Sequence, residues 1–398
     1  MCVYSALDIM KVMKDLILQV IKNKLSVIPI SILLILSAWW IYIISFPTES
    51  TENSRQIWAA LYQIMAIYGG IAGLIILKKI GGYKSFIGKT ILFFSIGLLL
   101  QSFGQTVYSY YIFYQHTEIP YPSIGDIGFF GSIIAYVYAV VFLSKITGIK
   151  FSVVSIYTKL KAVLVPLVIL FASYLFFLQG YEFDWSSKLR IFLDFGYPLG
   201  QALYLSLAII VFLISLSLIG GAMKKPILFL IFALFFQYLS DFMFLYQAHQ
   251  GTWYVGGLND YLYFLSYFLM TMALIYMGNI FNKIRSDGLV TSSGILSSVI
   301  SGITNIFTQI SFRIIKAQEA VIGPIAWDEA RKVPGVNIDQ ARSLIYFSDQ
   351  TVNAKDAINN LVAQYERIFG KASHAVCRDA VQDIIAEIPP EEIPESLK

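Results

Sequence analysis

Apolar runs of about the length needed to cross a hydrocarbon core as helix recur eight times in the first 282 residues. They are Leu25 to Phe46, Ile57 to Leu77, Thr90 to Phe113, Ile124 to Ser144, Leu160 to Leu178, Ile191 to Ile219, Pro226 to Tyr246 and Tyr261 to Phe281. The pattern changes after Phe281. Asn282 to Ser298 is rich in Ser and Gly and reads as a linker, and beyond it apolar residues return at amphipathic helical spacing. The fold class expected is all-α: an amphipathic N-terminal segment over 1–24, an eight-helix transmembrane domain over 25–281, a linker over 282–300 and a cytoplasmic helical domain over 301–398 with an acidic tail.

Charge placement orients these spans. Of the 398 residues only 14% are charged, against roughly 25% in soluble domains. The net charge of +4 is too small to point to a nucleic-acid partner. Residues 1–282 carry 17 basic and 11 acidic side chains, residues 283–398 carry 12 and 14, so the second stretch has a soluble composition. Lys11, Lys14, Lys22 and Lys24 precede the first span. Lys78, Lys79, Lys84 and Lys89, then Lys145, Lys150, Lys159 and Lys161, then Lys224 and Lys225 fill every second loop. The intervening loops hold only Arg55, Lys188 and Arg190. The positive-inside bias therefore places both termini in the cytoplasm of a cell membrane, with the lipid bilayer as the first partner. The first span reads as a signal anchor, because the 24 residues before it are too long and polar for a cleavable leader. Leu7 to Asn23 mixes apolar residues with lysines, which suits a helix on the anionic inner surface and equally a simple extension of the first span.

The third and fourth spans resemble the seventh and eighth. Gln101, Gln105 and Tyr110 align with Gln237, Asp241 and Tyr246 at an offset of 136 residues, and Asp126 with Asp260 at 134. Four spans per copy is an even number, so a duplication is a 4+4 parallel repeat.

Ionisable side chains in a bilayer are costly and often functional. Four aspartates qualify: Asp126, Asp194, Asp241 and Asp260. Asp126, Asp194 and Asp260 stand at helix starts, where a carboxylate caps free N–H groups or binds a ligand or ion. Asp241 stands near a helix C-terminal end, unfavourable for an anion unless it has a partner. With Gln101, Gln105, Gln201 and Gln237 the four are expected in the outer third of the bilayer, lining one polar cup that opens outward. Pro198 can break the sixth span, or be an ordinary kink. His116 and His249 occupy corresponding outer loops without a third ligand, so no metal centre is expected, and Cys2 and Cys377 suit neither a disulfide nor a zinc site. No lysine lies mid-span in the final helices to hold a retinal.

In the tail, Ile303, Phe307, Ile310, Ile314, Ala317 and Val321 follow at separations of 4, 3, 4, 3 and 4 residues. This is the seam of a coupling helix, either a short parallel coiled coil in a homodimer or a stripe packed on its own domain. Arg342 to Phe347 reads as a strand, Lys355 to Phe369 and Ala372 to Ile388 as amphipathic helices, and Glu391 to Lys398 as a disordered end. Phosphate-cradling loops and catalytic motifs are missing, so neither an enzyme nor a cofactor is expected. His374 reads as a surface residue and Cys377 as a core or boundary thiol.

The segment Tyr121-Pro122-Ser123-Ile124-Gly125-Asp126, with an aromatic-rich span after it, resembles the polytopic input regions that precede diguanylate cyclase and histidine kinase domains in prokaryotic sensors. Residues 25–281 fall under the resemblance, and Asp194 to Pro198 and Asp260 echo the motif. It implies a sensory role for the membrane half. The output is unlike those proteins: neither a Gly-Gly-Asp-Glu-Phe motif nor a kinase core follows, and an unidentified cytoplasmic protein partner is expected instead. The competing expectations are a small-solute or ion transporter using the membrane aspartates, and a membrane scaffold for the tail's partner.

Overall fold

The computed structural model describes residues 24–46, 49–146, 185–218, 221–289, 306–339, 344–347 and 353–398, with scattered positions between 160 and 175. The N-terminal amphipathic segment and most of the fifth apolar run, Leu160 to Leu178, lie outside the described residues. Among the described residues seven helices are long and apolar enough to cross a membrane, and they match the other seven runs. Their helices are α1 (Lys24–Ser45), α2 (Glu49–Leu61) and α3 (Ile64–Lys79), α4 (Phe86–Tyr110), α5 (Gly125–Ile146), α6 (Lys188–Leu218), α7 (Lys224–His249) and α8 (Leu258–Leu289). The second run is thus two helices. Two expectations are corrected here. Helix α8 continues through residues 282–289, because no proline interrupts that part of the expected linker. Helix α6 runs unbroken through Pro198, since proline removes one backbone bond and the other turns of a 31-residue helix hold the segment together.

Six helices close into a ring in the order α3, α4, α5, α6, α7, α8 and back to α3, each packed on its two neighbours. Rotating the ring by half a turn maps α3, α4 and α5 onto α6, α7 and α8. Every contact in one half then has its counterpart in the other, which is the arrangement expected of a parallel duplication. Helix α1 lies outside the ring against α8 and the α2–α3 pair. Trp58 Nε1 ties it in by donating to Leu36 O at 2.8 Å, as does Trp40 Nε1 by donating to Gly256 O at 3.1 Å. Close approach relies on small residues. A Cβ on Gly128 of α5 would stand 2.5 Å from Leu100 O of α4, and one on Gly69 of α3 would stand 2.1 Å from Thr271 Oγ1 of α8. Large apolar side chains such as Leu34, Ile35, Phe192, Leu203 and Phe232 face outward, a surface suited to lipid.

The tail comprises α9 (Ile306–Ile322), α10 (Ile325–Ala330), an antiparallel hairpin of β1 (Val336–Asp339) and β2 (Leu344–Phe347), α11 (Ala354–Phe369) and α12 (Lys371–Ile385). The two last helices and β2 were legible in the sequence; β1 was not. Ile310 and Ile314 are fully buried and Phe307 partly so, with α9 packed on α11 and α12. Ile303 lies outside the described residues. The apolar seam is therefore spent inside its own domain and is unavailable as a dimer seam, because α11 and α12 supply the apolar faces that a second chain would otherwise have to bring. The acidic end is also corrected. Leu397 is buried, Ser396 N donates to Asn359 Oδ1 at 3.0 Å and Lys355 Nζ to Glu391 O at 2.5 Å, so apolar anchoring outweighs the local negative charge.

This module sits on the lysine-bearing end of the ring. Helix α9 packs on α4 and α10 on α8. Ala222 N and Met223 N, at the start of α7, donate to Arg367 O and Ile368 O of α11 at 3.1 and 3.0 Å. Gly221 makes the approach possible: its φ is +62°, and a Cβ there would stand 2.3 Å from Arg367 O.

Candidate functional site in the helix ring

The four aspartates do not form one outward-opening cup. Asp126 closes a Ser-x-x-Asp capping box: its Oδ2 accepts from Ser123 N at 2.6 Å and Ser123 Oγ at 3.1 Å, and its Oδ1 from Tyr197 Oη of α6 at 2.7 Å. Asp194 is partly exposed and accepts from Tyr121 Oη at 2.8 Å. Asp126 and Asp194 therefore fasten the outer junction of α5 and α6 through two tyrosines. Asp260 accepts from Gly256 N at 2.7 Å and serves the first turn of α8. These three carboxylates hold helix starts, one of the two roles the sequence left open.

Asp241 is different in kind. It lies on α7, two turns before that helix ends, and is buried at 7% exposure. Its Oδ1 accepts from Tyr263 Oη of α8 at 2.6 Å and, weakly, from Gln237 Nε2 at 3.4 Å; its Oδ2 accepts from Tyr204 Oη of α6 at 3.0 Å. Gln237 Oε1 in turn accepts from Ser266 Oγ at 3.2 Å. The network continues through Tyr263, which stacks on Tyr267 at 6.2 Å between ring centroids. Tyr267 Oη donates to Gln101 Oε1 at 3.0 Å, and Gln101 Nε2 donates to Ser132 Oγ at 2.7 Å. Gln101 and Gln237 are both buried. Tyr267 lies nine residues past Leu258, about 13 Å inside the start of α8 at 1.5 Å per residue, deeper than the outer third. The hydrophobic runs hid this depth because tyrosine, serine and glutamine interrupt them too briefly to register.

Gln105, expected in the cup, instead repairs the backbone. Between α2 and α3 the chain turns at Tyr62 and Gln63, releasing carbonyls from the helical ladder. Gln105 Nε2 donates to Ala59 O at 3.1 Å, Gln63 Nε2 to Ala60 O at 2.8 Å, and Thr106 Oγ1 to Gln63 Oε1 at 2.8 Å. Irregular backbone inside an apolar helix persists where side chains satisfy it in this way. Gln201 is buried on α6.

Sequence reasoning missed Tyr204, Tyr263, Tyr267, Tyr136, Ser132 and Ser266. The serines had a signal, since they repeat at the 134-residue offset of Asp126 and Asp260. The tyrosines had none, being lost among 26 in the chain. His116 is exposed, and among the described residues no cluster of three or more His, Cys, Asp or Glu side chains could hold a metal ion. In the tail, Cys377 is buried and accepts from Gln318 Nε2 at 3.2 Å; burial pushes its thiol up to about 12, which makes it inert at neutral pH.

Comparison with protein-family models, curated proteins and solved structures yields no match to this chain. Fold and site define an all-α protein with seven apolar helices of membrane-spanning length. Six of its helices form a duplicated ring around a buried carboxylate, and a helical module is docked on one end.

Proposed function

We propose that the chain is a non-enzymatic membrane signal transducer of eight spans in the cell membrane, both termini cytoplasmic, in which the state of the Asp241 network is passed to the tail. One observation carries the reading. Helix α7 begins at the residues hydrogen-bonded to α11 of the tail and leads directly to Asp241, so a rigid rod links the polar centre to the tail module. The tail also touches α4 and α8, bridging both halves of the ring, and therefore responds to any change in their relative position. The resemblance of Tyr121 to Asp126 to sensor input regions agrees with this reading, as does the placement of the tail on the lysine-rich end. The tail's outer surface is the part left for a cytoplasmic protein partner.

Hydrogen exchange in reconstituted membranes tests the relay at the amides that make the contact. Asp241→Asn is expected to change exchange at residues 222 and 223. Unchanged protection there would end the transducer reading. A second reading, transport of a small solute or ion through the ring, is favoured by the depth of Gln101 and Tyr267. Solute flux in proteoliposomes that Asp241→Asn abolishes, with tail exchange unchanged, would put it first.

A further inference from the structure

We propose that the centre of the ring binds one small monovalent cation, a proton or an alkali-metal ion, on the Asp241 carboxylate, with the Tyr136 hydroxyl as its free oxygen ligand. This deepens the transducer reading by naming what the site takes.

The first argument is charge. The other three aspartates serve helix starts or the outer rim, where N–H groups and solvent offset them. Asp241 has only neutral donors, Tyr263, Tyr204 and Gln237. Among the described residues no lysine, arginine or histidine is bonded to it. Neutral hydrogen bonds solvate a carboxylate but leave its unit charge uncancelled, and an uncompensated charge in an apolar ring is strongly disfavoured. Its position near the C-terminal end of α7 adds to the penalty.

The second argument is independent of Asp241. Tyr136 of α5 is fully buried and its hydroxyl has no hydrogen-bond partner. A buried hydroxyl is rarely left so. Its ring meets the Tyr204 ring edge-on at 6.1 Å, and Tyr204 is itself bonded to Asp241. The Tyr136 hydroxyl is within electrostatic reach of both Asp241 and Tyr267. A polar group without a partner thus faces a carboxylate without a counter-charge.

The donor set fixes the ligand class. Only oxygen is offered: carboxylate, phenol and side-chain amide, the hard ligands that suit alkali-metal ions and protons. Tyr204 and Tyr263 give their protons to Asp241, which leaves their oxygen lone pairs available. One carboxylate supplies one charge, so one monovalent ion makes the centre neutral. The second carboxylate within reach of these phenols, Asp260, has Oδ2 engaged by Gly256 N, which argues against a divalent site. The other titratable groups facing Asp241 are the phenols of Tyr62, Tyr136, Tyr204, Tyr263 and Tyr267, none of which supplies a positive charge. A bound proton would let Asp241 donate to Tyr136; a bound metal ion would accept a lone pair from each.

The test uses the full chain in detergent or nanodiscs. Thermal unfolding is followed in sodium, potassium or choline chloride at equal ionic strength, and infrared difference spectra are taken through a pH titration in choline. An alkali-metal site gives a saturable rise in Tm with sodium or potassium over choline. A proton site gives no such rise, but shows a carboxylic-acid carbonyl band that disappears in Asp241→Asn. In either case Tyr136→Phe, which keeps the ring and its packing, weakens the affinity about tenfold, equivalent to about 1.4 kcal/mol. No saturable cation effect together with no Asp241-dependent band overturns the proposal. Unchanged affinity in Tyr136→Phe overturns the assignment of that hydroxyl. Cation binding without a change in exchange at residues 222 and 223 would leave this inference standing and remove only the transducer reading.

Discussion

Ser266 Oγ donates to Gln237 Oε1 at 3.2 Å across α7 and α8, on the same helix pair of its half as the bond from Gln101 Nε2 to Ser132 Oγ at 2.7 Å across α4 and α5. The glutamines are separated by 136 residues and the serines by 134. The two halves thus use one interhelical tie, and they differ in what surrounds it. Asp241 occupies in the second half the position that Gln105 holds in the first. A neutral side chain there repairs a broken helix; a carboxylate in the other copy gathers phenols. The duplication thereby yields one charged centre rather than two.

Removing the donors to Asp241 one at a time should rank them by geometry. Tyr263→Phe, which loses a 2.6 Å bond, is expected to cost about 1–2 kcal/mol of stability, and Tyr204→Phe, which loses a 3.0 Å bond, about 1 kcal/mol or less. Denaturant titration in mixed micelles reads both, and the reverse order would contradict the network described.

Gly69→Ala should destabilise the ring by about 1–3 kcal/mol through overpacking, because the new methyl group would overlap Thr271 Oγ1, itself bonded to Met65 O at 3.4 Å. Adding Thr271→Ala should recover part of the loss. The double variant being as unstable as the sum of the two singles would show that the contact is not where the cost arises.

In the tail, Glu329 is fully buried and bonded to Lys332 Nζ at 2.6 Å and Gln364 Nε2 at 2.5 Å. Lys332→Met would leave that carboxylate buried without its close cation, for an expected loss of about 3–5 kcal/mol. Glu329→Gln should cost less, because Lys332 retains access to water. Exchange protection across α10 and α11 measures the difference, and equal effects would refute the asymmetry.

A paired hydrogen bond from Arg313 of α9 holds the Asp383 carboxyl of α12 below its ordinary value. A pKa lowered by folding contributes stability above the unfolded value, and that contribution is lost as pH falls through the folded one. Protection of α12 should therefore weaken on acidification, and the part due to this pair should be missing in Asp383→Asn. An identical acid response in the variant would rule the pair out.

His374 faces two acceptors, Glu366 Oε1 at 3.0 Å from Nδ1 and the carbonyl of Ser396 at Nε2. Only the imidazolium donates to both. His374→Ala should free the C-terminal turn Glu395–Leu397 and speed its removal by carboxypeptidase, while exchange of α11 stays as it was. Unaltered trimming would mean that Leu397 alone anchors the end.

The chain's linear pattern determined its helices. Runs of apolar residues flanked by lysines marked seven of the described helices, and the amphipathic spacing of α11 and α12 marked the tail, because helix formation in an apolar setting depends mainly on local composition and period. Even the duplication was legible, through glutamines and aspartates at a fixed offset. What only the tertiary structure decided was which polar groups meet. Tyr204, Tyr263 and Gln237 come from three helices, and nothing in their local sequence separates them from the other aromatic and polar residues of the spans. Asp126, Asp194 and Asp260 looked equivalent to Asp241 until the helix starts beside them supplied their partners. The spacing of Ile310 and Ile314 fitted a second chain or the same one equally well, and the choice rested on the apolar faces of α11 and α12. Partner choice depends on distance in space, which a period along the chain does not encode.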